Sequence, residues 1–195
     1  MAKNRIIHLC LFWIALILPS YTLVGNDGNC VRATAASYVG VKEKGGNNKG
    51  FTDIDLQKKM AAVGWKPGYA WCAFFVRAIL DECGIENKIS GWSPTAYNKE
   101  DVIYTNGRFY QRYRNRDVLV MTLSYNKFRN TKRYKAIGHT GIVDRINEHS
   151  VRTIEGNTNE RGDRDSRSRD GVYVKIRPLS KNIHITRWKK FRLFR

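Results

Sequence analysis

The chain has 195 residues, 42% of them hydrophobic and 12% aromatic, enough for one globular domain with a sizeable core. Lys and Arg outnumber Asp and Glu by 35 to 17, and the formal charge of +18 points to an anionic partner or surface without saying which. No internal repeat is present, and an odd number of cysteines after loss of an exported leader (Cys30, Cys72 and Cys83, without Cys10) argues against a disulfide-stapled scaffold.

In chain order, Lys3 and Arg5 precede an apolar run from Ile6 to Leu18 that Pro19-Ser20 breaks, the layout of a secretory signal cleaved between Ser20 and Gly25. Extended through Val24, the run is of marginal length for a membrane span, which needs about 20 apolar residues. Residues 1–25 are therefore expected to be a signal peptide or an uncleaved membrane anchor, and residues 26–195 one domain. A secreted, periplasmic or cell-envelope location follows. Cell-wall polymers, lipid headgroups and lipopolysaccharide are then the anions on offer, rather than nucleic acid.

Val31, Ala35, Tyr38 and Val39 suggest a first helix between Cys30 and Val41, followed by a Gly- and Asn-rich loop. A second helix starts after a Thr52 or Asp53 cap, turns Leu56, Met60 and Val63 inward and stops at Gly64. Pro67-Gly68 forms a turn into a third helix. There Cys72, Phe75, Val76, Ile79, Leu80 and Cys83 recur at helical spacing, and Gly84 is the stop signal. Residues 85–111, with turn signals at Gly91 to Thr95 and at Thr105-Asn106-Gly107, read as an irregular crossover. Val118 to Leu123 reads as a buried strand, and residues 124–137 as a basic, aromatic loop. Gly138–Ile146 and Ser150–Glu155 read as an antiparallel hairpin turning through Asn147, Glu148 and His149. Residues 159–170 hold no apolar side chain and read as a loop tip. Gly171–Arg177 and Ile183–Phe194 supply further strands. Three helices followed by four or five strands describe an α+β domain, with N-terminal helices packed on a C-terminal antiparallel sheet.

Cys72 falls in the first turn of the third helix, where unpaired N–H groups and the helix dipole favour a thiolate. Free cysteines are more often small core residues, and Cys83 fits that description; a bridge between Cys30 and Cys83 stays open. His139 has Gly138 on one side and Thr140-Gly141 on the other, so another group can approach it closely. His8, His149 and His184 lie in the leader, a turn and a charged terminal stretch, which leaves His139 as the natural base for Cys72. A three-residue hairpin turn puts His139 opposite Asn157, with Glu155 diagonal on the same face, so Glu155 or Asn157 can orient the imidazole. An even-length turn without a compensating bulge would separate them. A cysteine at a helix start, a later histidine and a carboxylate on the paired strand make the arrangement of a papain-like thiol hydrolase.

These residues, in Trp71-Cys72-Ala73-x-Phe75-Val76, Gly138 to Val143, Thr153 to Thr158 and Gly171-Val172-Tyr173, resemble the successive motifs of the CHAP family. Its members are cysteine, histidine-dependent amidohydrolases and peptidases, relatives of the NlpC-type wall peptidases. The resemblance extends from about Ala33 to Phe194 and takes in Tyr38 to Val41, Glu43 and Asn47-Asn48. It implies Cys72 as nucleophile, His139 as base, Glu155 as orienting acid and Asn157 as helper, acting on amide bonds of peptidoglycan peptide stems. Some relatives bind calcium through an Asp-rich loop ahead of the cysteine. Asp53-Ile54-Asp55 does not match that loop, so no metal or other cofactor is expected. Tyr69, Trp71, Trp92 and Tyr97, aromatic residues in turns with no core stripe to join, are expected at the substrate groove. A monomer is expected, with an anionic wall or membrane surface as a further partner.

The strongest rival is a binding module. From Arg108 to Lys135 nine basic residues face one acidic residue, Asp117, interleaved with Phe109, Tyr110, Tyr113, Tyr125, Phe128 and Tyr134, a pattern suited to phosphate contact and base stacking. The leader argues against nucleic acid, and a Cys72→Ala variant separates the classes, because a binder keeps its activity and a hydrolase loses it.

Overall fold

Alternation along the chain decides which faces are buried, and the computed structural model describes the outcome for residues 27–124, 138–161 and 170–190. Three helices come first: α1 (Asp27–Ser37), α2 (Ile54–Ala62) and α3 (Cys72–Glu82). The Asp53 side chain caps α2 by accepting the Leu56 N–H at 2.8 Å, and Gly64 follows the helix at φ 94°. A short 3-10 turn, η1 (Ser93–Ala96), precedes seven strands: β1 (Val102–Thr105), β2 (Arg108–Phe109), β3 (Val118–Ser124), β4 (Gly138–Ile146), β5 (Ser150–Thr158), β6 (Gly171–Pro178) and β7 (Ile183–Lys189). They form one antiparallel sheet in the order β2-β1-β7-β3-β4-β5-β6, and the fold is α+β with the helices N-terminal to the sheet.

The sheet buries both faces. Along β3, Val118 and Val120 join the core beneath the helices with Ile142, Ile154 and Val172, while Leu119 and Met121 join a second core with Ile103, Val143, Val151 and Ile185. An uninterrupted apolar run at 118–123 is the sequence of such a strand.

Three expectations need correction. The segment from 85 to 111 is not an irregular crossover, because it contains η1 and the β1–β2 hairpin, so the sheet has seven strands rather than four or five. Asn106 and Gly107, at φ 51° and 81°, make the two-residue turn of that hairpin, and Asn-Gly is the strongest short-range signal for it. The β4–β5 turn is of even length, with Ile146 opposite Val151 and the Asn147 N–H bonded to the Ser150 carbonyl at 2.7 Å. A bulge at Asp144 then shifts the register by one, so that Val143 faces Thr153 and Ile142 faces Ile154. At the other end of the hairpin the pairing is therefore the one that a three-residue turn gives. The third concerns Cys83, which is not a free core thiol: the bridge left open by the sequence is formed, Cys30 of α1 and Cys83 at the end of α3 being joined by a disulfide with 5.9 Å between their Cα atoms, which leaves Cys72 as the free cysteine of the described residues. The leader, the basic aromatic loop at 125–137, the tip at 162–169 and residues 191–195 lie outside the described residues.

Candidate active site

The site grows from the start of α3. Gly68, at φ 98°, turns the chain, and the first helical hydrogen bond runs from the Phe75 N–H to the Trp71 carbonyl at 2.9 Å. Trp71 sets where the helix begins. Its fully buried indole lies edge-on to Phe51 at 4.7 Å and donates from Nε1 to Glu43 Oε1 at 2.7 Å. The ring also occupies the space that a side chain on Gly156 of β5 would need, since a Cβ there would meet it at 2.4 Å. The end of β5 thereby holds the end of α3. Trp71 is a core residue and not, as expected from the sequence, part of a substrate groove.

Cys72 is the first residue of α3 and is 8% exposed. Its thiol interacts with the side chain of His139, the second residue of β4, in the sense that favours the charged imidazolium. His139 Nε2 lies 2.8 Å from Glu155 Oε2, which leaves Nδ1 for the cysteine. Gly141 makes this contact possible, because a Cβ at that position would stand 2.5 Å from Glu155 Cγ. The glycine flank of His139 is the mark of the approaching carboxylate.

Glu155 is completely buried and carries two further partners that the sequence reading did not select. Thr153 donates from Oγ1 to Oε1 at 2.5 Å, and Arg177 of β6 forks onto both oxygens, Nε to Oε1 at 2.6 Å and Nη2 to Oε2 at 2.5 Å. Burial alone would raise the Glu155 carboxyl, but hydrogen bonds from Arg177 and the charge of His139 hold it far below the usual carboxylate range. Burial likewise opposes charge on His139. The Glu155 carboxylate and the Cys72 thiol outweigh it and push His139 up to about 9. The period-two alternation of Gly171 to Arg177 was a signal for Arg177, since Val151 pairs with Arg177 and Glu155 with Tyr173, placing 151, 153, 155, 173, 175 and 177 on one face.

Asn157 departs from its expected role. At φ 57° its side chain turns to the helix, accepting the Trp71 N–H at 2.7 Å and donating to Asn48 Oδ1 at 3.2 Å and Asp170 Oδ2 at 3.4 Å. It positions the peptide before Cys72 rather than the ring of His139. Of the expected groove residues, Tyr69 is 53% exposed and stacks on Phe74, whose ring lies against Gly91. Trp92, 49% exposed, follows, and Ser93 Oγ sits where a Cβ of Gly138 would be. Tyr69 thus lies on Phe74, and Trp92 stands next in sequence to Ser93, which packs beside Gly138 and so near His139. Tyr97 lies instead edge-on to His184, whose two ring nitrogens meet Thr105 Oγ1 at 2.7 Å and Ser124 Oγ at 3.1 Å.

Among the described residues no three His, Cys, Asp or Glu side chains converge in a way that could hold a metal. What the arrangement offers is a thiol at a helix N-terminus, a histidine able to take and return its proton, and a buried anion that fixes the ring. The sequence model of the CHAP domain matches residues 64–157, from the turn before α3 through Asn157, and so spans Cys72, His139 and Glu155. No curated protein and no solved structure matches the chain.

Proposed function

From a chain that carries a CHAP domain over residues 64–157, we propose an exported cysteine hydrolase that cuts amide bonds in the peptide stems of bacterial peptidoglycan. The observation that carries this reading is the hydrogen-bonded run from His139 to the Arg177-clamped Glu155, with His139 interacting electrostatically with Cys72 at the start of α3. The Cys72 thiolate, paired with the His139 imidazolium, attacks the scissile carbonyl and forms a tetrahedral adduct. The Trp71 N–H is already bonded to Asn157, so the N–H groups of the first α3 turn, beginning with Cys72 itself, are the donors for the oxyanion. His139 protonates the leaving amine, and the acyl group stays on sulfur. Water activated by the same histidine then releases the acid and restores the thiolate. Glu155 keeps the imidazole in one tautomer and orientation throughout.

Export is supported by the signal-like run before residue 26 and by the Cys30–Cys83 disulfide, since such bonds persist in oxidising compartments. No step calls for a metal or other cofactor, and the protein works as a monomer held to an anionic envelope surface by its positive charge.

The test is incubation of the chain from residue 26, and of its Cys72→Ala variant, with purified peptidoglycan, followed by mass spectrometry of the released fragments. Release by the parent alone supports the reading, and the masses tell a sugar–peptide cut from one within the peptide. If neither chain releases fragments under mildly reducing conditions, the hydrolase reading is wrong.

A further inference from the structure

The basic aromatic stretch singled out in the sequence leads, in its described part, away from the catalytic centre. Phe109, Gln111, Arg112 and Tyr113, with the start of the β4–β5 turn, line a groove of about 520 Å³. It lies at the opposite end of β4 from His139, on the order of 20 Å away along the strand. Phe109, 45% exposed, forms one wall with Tyr113, the two rings stacked at 6.1 Å and only 25° apart. Ile146, Asn147 and Glu148 form the other, and Arg112 completes the lining.

The aromatic wall is held rigid from below. The Tyr110 N–H bonds to the Ile103 carbonyl at 2.9 Å. Gln111 donates to the Val102 carbonyl and accepts from Arg187, which is itself buried and clamped by Asp101 and Asp117. Tyr104 meets Phe109 edge-on at 4.9 Å. A flat apolar wall with little freedom to lose is a preorganised binding surface.

We propose that this groove binds the polysaccharide strand of the wall, the pyranose rings lying on the Phe109–Tyr113 wall. The inference rests on peptidoglycan as the substrate. Ring faces attract the C–H bonds of a sugar, and Asn147 and Glu148, both exposed, offer an amide and a carboxylate to hydroxyl and acetamido groups. Charge favours sugar over nucleic acid. A phosphate backbone needs a row of cations, but this lining carries Arg112 and Glu148, one charge of each sign. Arg108 of the same stretch is turned onto Tyr110, with Nε 2.8 Å from the phenol oxygen and the guanidinium over the ring. The groove thus selects an uncharged or weakly charged polymer, while the net charge of the whole surface acts without selection.

The full chain carrying Cys72→Ala, alone and with Phe109→Ala or Asn147→Ala added, is titrated into a fluorescently labelled oligomer of N-acetylglucosamine, an uncharged stand-in for the wall's glycan strand, and followed by fluorescence anisotropy. The expected result is saturable binding that Phe109→Ala weakens about tenfold, with little change between low and high salt. Unchanged affinity in Phe109→Ala overturns the proposal, as does polyuridylate binding that displaces the oligomer and weakens as much in Phe109→Ala. Thermal unfolding monitors the fold. Were Phe109→Ala to lose it, the Asn147→Ala side chain, exposed in a turn, reads the same groove, and unchanged affinity there is the overturning result. Cleavage of soluble cross-linked muropeptides, which keep both the sugar–peptide amide and the amides within the stem, by the chain with Cys72 intact, measured in parallel, reads the hydrolase alone. A chain that cuts muropeptides but binds the oligomer independently of Phe109 sinks this proposal only, and one that binds through Phe109 but cuts nothing sinks only the hydrolase.

Discussion

Glu155 shows how much of the site's behaviour resides in one buried carboxylate. It accepts from His139, Thr153 and Arg177 with no contact with water, and each partner limits the others. Arg177 offsets part of the negative charge that would otherwise hold His139 protonated, so it is a positioning residue with an electrostatic effect. Arg177→Gln leaves a buried anion half matched, at a cost of roughly 3–5 kcal/mol in unfolding free energy, and should move the alkaline limb of activity to higher pH. Arg177→Lys should recover part of the stability, because it restores the charge but not the fork. A purely structural role would leave the pH profile where it is. The pH dependence of stability has a sign fixed by the same contacts. His139, raised from an ordinary 6.5 to about 9, stabilises the fold fully below about 6.5, and this contribution fades as pH rises through about 9. Glu155, held low, contributes above its ordinary 4.5 and stops doing so as acidification reaches its depressed value. Both terms are complete between these two ordinary values. Melting temperatures across pH should therefore fall on the alkaline side in the parent and stay flatter in His139→Gln. Gly141→Ala puts a methyl group 2.5 Å from Glu155 Cγ and should lower kcat by displacing the carboxylate, with KM for muropeptides little changed.

At the scale of elements, the site depends on two strands and a helix meeting at fixed points. The Asp144 bulge re-phases β4 against β5, and the Trp71 wedge in Gly156 with the Asn157 contact pins the start of α3 to the end of β5. Asn157→Ala removes the acceptor of the Trp71 N–H, a loss of about 1–3 kcal/mol, and also a side-chain type that tolerates positive φ. Its expected signature is a fall in kcat at unchanged His139 titration, because the backbone before the nucleophile moves and the imidazole does not. The Cys30–Cys83 disulfide ties α1 to the far end of α3 across 53 residues of sequence, a closure worth about 4 kcal/mol on chain-entropy grounds. Cys30→Ser with Cys83→Ser should lower the melting temperature to that of the fully reduced parent. Reductant added to protect Cys72 will also weaken the fold, and calorimetry with and without it measures by how much.

For the whole molecule the dominant quantity is the charge of +18 on 195 residues. On the hydrolase proposed above, such a surface would concentrate the chain at an anionic envelope and make that association sensitive to ionic strength. Binding of the full chain carrying Cys72→Ala to insoluble wall material should weaken steeply between low and high salt. Binding that does not change would show that charge is not what holds the protein there. The uncharged N-acetylglucosamine oligomer of the groove experiment should respond weakly to the same change, and the contrast separates general attraction from specific contact.

Local patterns in the sequence were enough for the helix that opens at Cys72, the glycine-flanked His139, the strand bearing Glu155 and the helices-then-sheet order. Capping residues, turn dipeptides and periodicity act over a few residues, so a linear reading can follow them. The partners of those residues lay beyond such a reading. Whether Glu155 meets Arg177, whether Trp71 is wedged in the core or open to substrate, whether Asn157 faces the histidine or the helix, and whether Cys30 reaches Cys83 all depend on which distant strands and helices pair. The hairpin turn makes the point most plainly. Its even length departs from the expected three residues, yet the bulge at Asp144 restores the expected pairing, because the burial of both sheet faces, and not the turn alone, sets the register.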